Sequence, residues 1–137
     1  MYGVQSRLWP RPGQRAAVTL IRQAHDIGCT FFDTAERYGH GANEQLVGQA
    51  LAPMQDEVVI ATKLFITKTG DDMTRNDLSR QIREHLEASL SRLGTDHVEL
   101  YYQHRVNKDI PVEDVAACMG ELIGEGKILG LGSIASY

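Results

Sequence analysis

The clearest indication of the fold is the segment Phe31-Phe32-Asp33-Thr34-Ala35-Glu36-Arg37-Tyr38-Gly39. It opens with apolar residues, as a buried strand does, and continues through Asp33 into a polar loop that carries Tyr38 and ends at a glycine. Parallel α/β proteins keep their chemistry at the carboxyl ends of their strands, and this strand delivers a carboxylate and a phenol there. The segment therefore predicts an α/β fold with a functional site at that edge of the sheet.

Helical and strand patterns alternate outward from this segment. An amphipathic helix precedes it, with apolar residues at Ala17, Leu20, Ile21, Ala24 and Ile27. Further strands are predicted to begin near residues 58, 98 and 128, with a helix before each of them. Asn43 is expected to cap the first of these helices, and Thr74-x-x-Asp77 to form a capping box on the second. Strand–helix–strand units of this length are right-handed crossovers, so the sheet is predicted to be parallel.

The residues alone leave the closure of this sheet open. A small doubly wound sheet fits a chain of 137 residues, whereas an eight-stranded barrel needs about 250 residues and would be present only in part. In either case the length indicates a single domain over residues 1–137. Residues 1–13 are expected to form an irregular lead-in, because prolines and a glycine interrupt them.

Composition argues against several classes of function. The formal net charge of −4 gives no reason to expect binding to nucleic acid or to an anionic membrane. No apolar run approaches the roughly 20 residues of a membrane span, and no signal peptide is evident at Met1, so we expect a cytoplasmic protein. Cys29 and Cys118 are far apart and lack metal-ligand spacing, so we expect two reduced thiols and no metal.

Successive strand exits carry complementary titratable groups. Asp33, Lys63 and His104 each lie where a predicted strand ends, and Tyr38 follows Asp33 in the same loop. Each residue alone has an ordinary explanation, such as a turn cap, a solvated strand end or a packed ring. Together they can form a proton-donating site. A lysine ammonium close to a tyrosine favours the phenolate, and a carboxylate keeps that lysine charged and oriented. A histidine can hydrogen-bond the reacting oxygen, and the set suits carbonyl reduction, in which carbon receives hydride and oxygen a proton.

These segments resemble the signature sequences of the aldo-keto reductase family. The resemblance rests on Phe32-Asp33-Thr34-Ala35-Glu36-x-Tyr38-Gly39, Ala61-Thr62-Lys63 and Tyr101-Tyr102-Gln103-His104-Arg105. The segments Asn43-Glu44-x-Leu46-Val47-Gly48 and Ser89-Leu90-x-Arg92-Leu93-Gly94-Thr95-Asp96 fit the same pattern. The similarity extends from about Thr19 to Ile128, which is most of the chain.

The resemblance implies a fold, a cofactor and a set of site residues. The fold would consist of parallel βα units forming a partial (β/α)8 TIM barrel, and NADPH would donate hydride to a small aldehyde or ketone. Asp33, Tyr38, Lys63 and His104 would form the catalytic tetrad. Tyr38 would be the general acid, Lys63 the group that tunes its acidity, Asp33 the partner of Lys63 and a cofactor contact, and His104 the group that orients the carbonyl. Ser133, or else Ser136, would contact the nicotinamide amide.

The chain also departs from the family pattern. Family members are about twice as long, and neither the first barrel strand nor the strands after the fifth are recognisable here. Most of the expected cofactor site is missing with them, so we expect a fragment that binds NADPH poorly and reduces aldehydes slowly or not at all. The alternatives are a non-catalytic half-barrel with a regulatory or oligomerising role, and an independent doubly wound binding domain. Open sheet edges near residues 29 and 128 predict a homodimer formed edge to edge.

Overall fold

The fold is a parallel sheet whose strands alternate with helices along the chain, as the sequence predicts. The computed structural model describes residues 13–67 and 70–134, so the predicted lead-in falls outside the described residues except for Gly13. Within the described part, the strands are β1 (Phe31–Asp33), β2 (Val59–Leu64), β3 (Val98–Gln103) and β4 (Ile128–Ser133). The helices are α1 (Gln14–Asp26), α2 (Ala42–Leu51), α3 (Arg75–Leu93) and α4 (Val112–Gly124), with short 3-10 segments at Tyr38–Gly41 and Ala52–Glu57.

The strand order distinguishes between the two closures that the sequence leaves open. All neighbouring strands are parallel and follow chain order, β1-β2-β3-β4. Helix α1 packs on α2, α2 on α3 and α3 on α4, so the crossovers lie side by side on one face of the sheet. A doubly wound sheet would reverse its strand order at a switch point and carry helices on both faces. The alternative of a doubly wound sheet is therefore excluded, and the chain has the architecture of a barrel segment.

The hydrophobic core lies between the sheet and this layer of helices. Helix α3 is 19 residues long and lies in the helical layer. Its apolar residues recur every three or four positions, so they share the one face that packs on the core. Burying a large aliphatic side chain stabilises the fold by about 1.5–3 kcal/mol. The largest fully buried residues come from both layers: Leu51, Leu64, Ile82, Leu86, Leu93, Tyr101, Met119, Leu122 and Ile128.

A buried ion pair ties α2 and α3 to β2. Glu44, in the first turn of α2, is fully buried. Its carboxylate accepts hydrogen bonds from Thr62 Oγ1 and from Arg92 Nε, both at 2.5 Å. Gly48 permits the close approach of the two helices, because a Cβ there would lie 2.3 Å from the carbonyl oxygen of Leu93. This network fixes the part of β2 that lies next to the predicted lysine.

The predicted start of α3 is confirmed, and that of α2 is wrong. Thr74 Oγ1 accepts from the Asp77 backbone N–H, and the Asp77 carboxylate accepts from the Thr74 backbone N–H, which is a complete capping box. Asn43 is not a cap but a residue of the first turn of α2, and its side-chain oxygen accepts a hydrogen bond from Thr34 Oγ1 at 2.6 Å. The helix begins earlier than predicted because Gly41, at φ 88°, turns the chain directly into it.

Both edges of the sheet expose apolar side chains. Helix α1 contains no fully buried residue, although Ile21 is partly buried against the core, and Ile27 just beyond the helix is 89% exposed. Phe31 on the edge strand β1 is 49% exposed. At the opposite edge, Leu129 and Leu131 of β4 are exposed as well. The open edges predicted near residues 29 and 128 are therefore present in the described part of the chain.

Candidate active site

Backbone hydrogen bonds place the predicted polar groups at one end of the sheet. Asp33 is the last residue of β1, and the backbone N–H of the following Thr34 continues the ladder by donating to the Ala61 carbonyl at 2.9 Å. Lys63 lies one residue before the end of β2. His104 directly follows β3 and donates its backbone N–H to the Leu64 carbonyl at 2.7 Å. Because the strands are parallel, all of their carboxyl ends lie at the same end of the sheet.

Lys63 is the centre of this group. Its side chain is almost fully buried, and its Nζ donates to Asp33 Oδ2 at 2.7 Å and to the Thr34 carbonyl at 2.8 Å. The same nitrogen lies 3.4 Å from the hydroxyl oxygen of Tyr38. A buried ammonium requires a counter-ion and hydrogen-bond acceptors, and Asp33 and Thr34 supply both. The cation is thereby held beside the phenol, where it stabilises negative charge on that oxygen.

Tyr38 approaches Lys63 because the chain turns sharply after β1. The Tyr38 backbone N–H donates to the Ala35 carbonyl at 3.1 Å and begins the 3-10 segment. The next residues have positive φ angles, 60° at Gly39 and 54° at His40. A positive φ is uncommon for a residue other than glycine, and such backbone is found preferentially at functional sites. Tyr38 itself is 42% exposed, so its hydroxyl is accessible to a small molecule.

His104 completes the group from the next strand. Its ring meets the Tyr38 ring edge-on, with centroids 5.9 Å apart and an interplanar angle of 89°. Burial lowers the pKa of His104, and the nearby positive charges of Lys63, Arg105 and Arg37 lower that pKa further. The imidazole is therefore neutral at pH 7 and can donate a hydrogen bond from one ring nitrogen without acting as a strong acid. Of the two groups that a substrate oxygen could meet here, the phenol is the better proton donor.

The residues proposed for the nicotinamide amide are less favourably placed. Lys63 pairs with Tyr102 and Tyr102 with Gly132, so these three residues share one face of the sheet. Ser133 follows Gly132 and points to the opposite face, where its hydroxyl donates to Gln103 Oε1 at 3.4 Å. The assignment of Ser133 to the cofactor thus stays a prediction, and Ser136 lies outside the described residues.

Glycines at β4 do not form a phosphate-binding loop. A Cβ at Gly130 would lie 2.9 Å from Leu100 Cδ2, and one at Gly132 would lie 2.4 Å from Tyr102 Cε1. Both glycines are therefore explained by side chains that pack over them. The described residues fit the reactive end of a nicotinamide cofactor, since an accessible phenol faces an open surface, but they offer no glycine-rich cradle for its phosphates.

Residues 13–67 and 70–134 offer neither a metal-binding cluster nor a membrane-spanning helix. They contain no group of three or more His, Cys, Asp or Glu side chains that could hold a metal ion. Over the same residues, no helix is long and apolar enough to cross a membrane.

A second polar network lies beside the predicted site and is not anticipated by the sequence motifs. The Glu36 carboxylate accepts the backbone N–H of Phe65 at 2.6 Å and lies 2.9 Å from His85 Nδ1. Phe65 in turn presents its ring edge-on to His104 at 6.4 Å, and Arg37 lies over the Phe65 ring. The signal that could have identified Phe65 is its position two residues after Lys63, which suggests the same side of the chain.

Comparisons with known proteins agree with this architecture. A model of the aldo/keto reductase family matches residues 5–134. Probable aldo-keto reductase 1 of Glycine max is 38% identical over 121 residues, which are 87% of this chain and 35% of that protein. Aldo-keto reductase YhdN of Bacillus subtilis (strain 168) is 34% identical over 133 residues, which are 96% of this chain and 40% of that protein. The structure of an aldo-keto reductase from Klebsiella pneumoniae in complex with NADPH superimposes with a TM-score of 0.77 at 34% identity, covering 90% of this chain and 40% of that one.

The fold and the site first define a class: a partial (β/α)8 barrel with a polar site at the carboxyl ends of its strands. Within that class, the chain belongs to the aldo/keto reductase family. It spans about 35–40% of the length of the curated relatives described above. The resemblance and the partial-barrel fold expected from the sequence are therefore confirmed, and the family is one of oxidoreductases.

Proposed function

We propose that this chain carries the proton-donating side of an NADPH-dependent carbonyl reductase, which converts aldehydes or ketones to alcohols. The observation that carries the proposal is the contact of one buried ammonium, that of Lys63, with both Asp33 and the hydroxyl of Tyr38. The presence of NADPH in the similar Klebsiella pneumoniae structure supports the choice of cofactor.

Each polar group has a defined role in this proposal. Tyr38 donates its proton to the carbonyl oxygen as that oxygen gains charge, and Lys63 stabilises the resulting phenolate. Asp33 keeps the ammonium of Lys63 oriented, and neutral His104 positions the carbonyl by a hydrogen bond. A positioned proton donor accelerates a reaction by about 10²–10⁴-fold. When bound, NADPH supplies the hydride that the carbonyl carbon receives. Asp33 is the residue that would contact its nicotinamide end, whereas a contact from Ser133 would require its hydroxyl to leave Gln103 on the opposite face of the sheet.

Activity of this chain by itself is proposed to be weak or absent at ordinary cofactor concentrations. The described residues include no phosphate cradle, so most of the binding energy for NADPH is lacking. A titration of the chain with NADPH, followed by cofactor fluorescence, tests this directly. We expect a dissociation constant well above the micromolar range, whereas micromolar binding with rapid turnover would contradict the proposal. The alternative of a non-catalytic module gains no support from the comparisons.

We further propose that two copies associate through their open edges. Each copy provides a parallel sheet of four described strands, and eight strands are required to close a barrel of this type. The edges that would meet carry Phe31 on β1 and Leu129 on β4, both well exposed. Light scattering after size exclusion should give twice the 15.2 kDa mass of the chain, and Leu129→Lys should shift the protein to monomer. A monomer at all concentrations would contradict this part of the proposal.

A further inference from the structure

A continuous band of side chains leads from the proposed proton donor to a cation at the rim of the site. The Tyr38 ring meets His104 edge-on, with centroids 5.9 Å apart, and His104 meets Phe65 edge-on at 6.4 Å. The guanidinium carbon of Arg37 lies 4.1 Å from the centroid of the Phe65 ring. Arg37 therefore lies one aromatic ring beyond the histidine that is proposed to bind the carbonyl.

The guanidinium of Arg37 is held in place without a carboxylate partner. Among residues 13–67 and 70–134, no Asp or Glu forms an ion pair with it. The adjacent Glu36 is engaged instead by His85 and by the backbone N–H of Phe65. Stacking on an aromatic ring fixes the plane of a guanidinium and leaves its N–H edge free to bind an anion through paired hydrogen bonds.

The local electrostatics favour a negatively charged ligand here. Lys63, Arg105 and Arg37 act on His104 as positive charges and Glu36 acts as a negative one. The charge of Lys63 is balanced by Asp33 at 2.7 Å, so the uncompensated positive charge near His104 comes from Arg37 and Arg105. This positive region is local, because the chain as a whole carries a formal net charge of −4. A local excess of positive charge attracts ligands of the opposite sign even on such a protein.

We propose that Arg37 and Phe65 form a subsite for the anionic group of the substrate, so that this site prefers aldehydes or ketones that carry a carboxylate. The carbonyl lies at Tyr38 and His104, an apolar spacer passes beside Phe65, and the carboxylate pairs with Arg37, which stays over the Phe65 ring. This inference rests on the proposed function, because the carbonyl position defines the other end of the ligand.

Ligand binding to the chain in the absence of NADPH tests the subsite separately from catalysis. The probes are para-carboxybenzaldehyde and its methyl ester, which differ in charge but not in the aldehyde, and the readout is heteronuclear NMR of the backbone amides. We expect the acid to bind about tenfold more tightly than the ester and to perturb the amides of Phe65 and His104. Arg37→Gln should remove this preference, and Arg37→Lys should retain part of it because the charge remains without the stacked plane.

Arg15→Gln is the matched control, since it removes an exposed guanidinium from the first turn of α1. It changes the net charge by the same amount and should leave the preference for the acid unchanged. Equal binding of acid and ester, an unaltered preference in Arg37→Gln, or no binding of either probe would each overturn the subsite. Tyr38→Phe should keep the preference for the acid, so a failure of the proposed chemistry is distinguishable from a failure of the subsite.

Discussion

The ammonium nitrogen of Lys63 lies 2.7 Å from Asp33 Oδ2, although the two residues are separated by 30 positions in the sequence. The pair joins adjacent strands at their carboxyl ends, and the lysine is only 4% exposed, whereas the carboxylate is about half exposed. Because of this difference in exposure, the charge of Lys63 is stabilised mainly by Asp33, whereas the charge of Asp33 is also stabilised by water. Removal of Asp33 leaves a buried cation without its counter-ion, while removal of Lys63 leaves a carboxylate that water can reach.

Asp33→Ala should therefore destabilise the fold more than Lys63→Met does. We expect a loss of about 1–3 kcal/mol for Asp33→Ala, below the range for a fully buried pair because Asp33 is partly exposed. The double variant Asp33→Ala/Lys63→Met should recover part of this loss, since the unpaired cation is gone. Urea unfolding of the four proteins gives the coupling energy. Strictly additive losses would mean that the pair is not coupled.

Substituting Gly48, at the contact between α2 and α3, tests how closely the two helices pack. Gly48→Ala should cost about 3 kcal/mol or more, because its Cβ would lie 2.3 Å from the carbonyl oxygen of Leu93, a backbone atom that cannot move aside. Gly120 is the matched control: it lies within α4, and a Cβ there meets nothing within 4 Å. Gly120→Ala should stabilise the protein by about 0.5–1 kcal/mol through helix propensity. Similar melting temperatures for the two variants would contradict this packing.

The buried ion pair of Glu44 should matter far more than an exposed one. Glu44→Ala leaves Arg92 Nε and the Thr62 hydroxyl without their common acceptor, and we expect a loss of about 2–3 kcal/mol, below the range for a fully buried pair because the Arg92 side chain is 24% exposed. The comparison is Glu87→Ala, which removes the partner of Lys127 at the surface and should change stability by less than about 1 kcal/mol. Chemical denaturation of both variants measures the difference, and equal losses would show that Glu44 is not a structural anchor.

The contact of Glu36 with His85 predicts a dependence of stability on pH. The hydrogen bond to Glu36 raises the pKa of His85, burial opposes the rise, and the charges of Glu36 and Glu84 raise it while that of Arg92 lowers it. A raised pKa in the folded state means that protonated His85 stabilises the fold below the pKa of the unfolded chain, and that this contribution disappears as the pH rises through the folded pKa. His85→Gln should therefore be destabilised relative to the parent at about pH 6 and much less so at about pH 9. A stability difference that is constant over this range would contradict the prediction.

The sequence predicts the elements better than the contacts between them. Asp33, Lys63 and His104 were predictable because hydrophobic periodicity locates strand ends, and parallel strands bring those ends together. The contact between Glu36 and His85 was not, because it depends on the rotation of α3 against the sheet, which no local pattern encodes. The prediction that Asn43 caps α2 was wrong because the left-handed Gly41 occupies the cap position and begins the helix without a side-chain cap.

Helix α1 forms where the sequence predicts it, but its apolar face is not buried as that pattern suggests. Its apolar residues have helical spacing, and the helix forms, yet none of them is fully buried in the described structure. Periodicity identifies a face that is suited to burial, but here α2 and the core cover that face only in part, at Ile21. The exposed Ile27 and Phe31 at the same edge belong to this uncovered region, which is why association of two copies is part of the proposal.

The central claim is that Tyr38 donates the proton in carbonyl reduction, and it is tested most directly by the transfer of deuterium from deuterated NADPH to para-carboxybenzaldehyde. The cofactor is supplied at a concentration high enough to offset weak binding, and the labelled alcohol is measured by mass spectrometry. The matched control is Tyr101→Phe, which removes the same hydroxyl from a buried tyrosine that has no hydrogen-bond partner in the described part of the chain. We predict slow labelling by the parent and by Tyr101→Phe, and a loss of at least about 100-fold in Tyr38→Phe. An unchanged rate in Tyr38→Phe, or no labelled alcohol above the protein-free background, would contradict the claim.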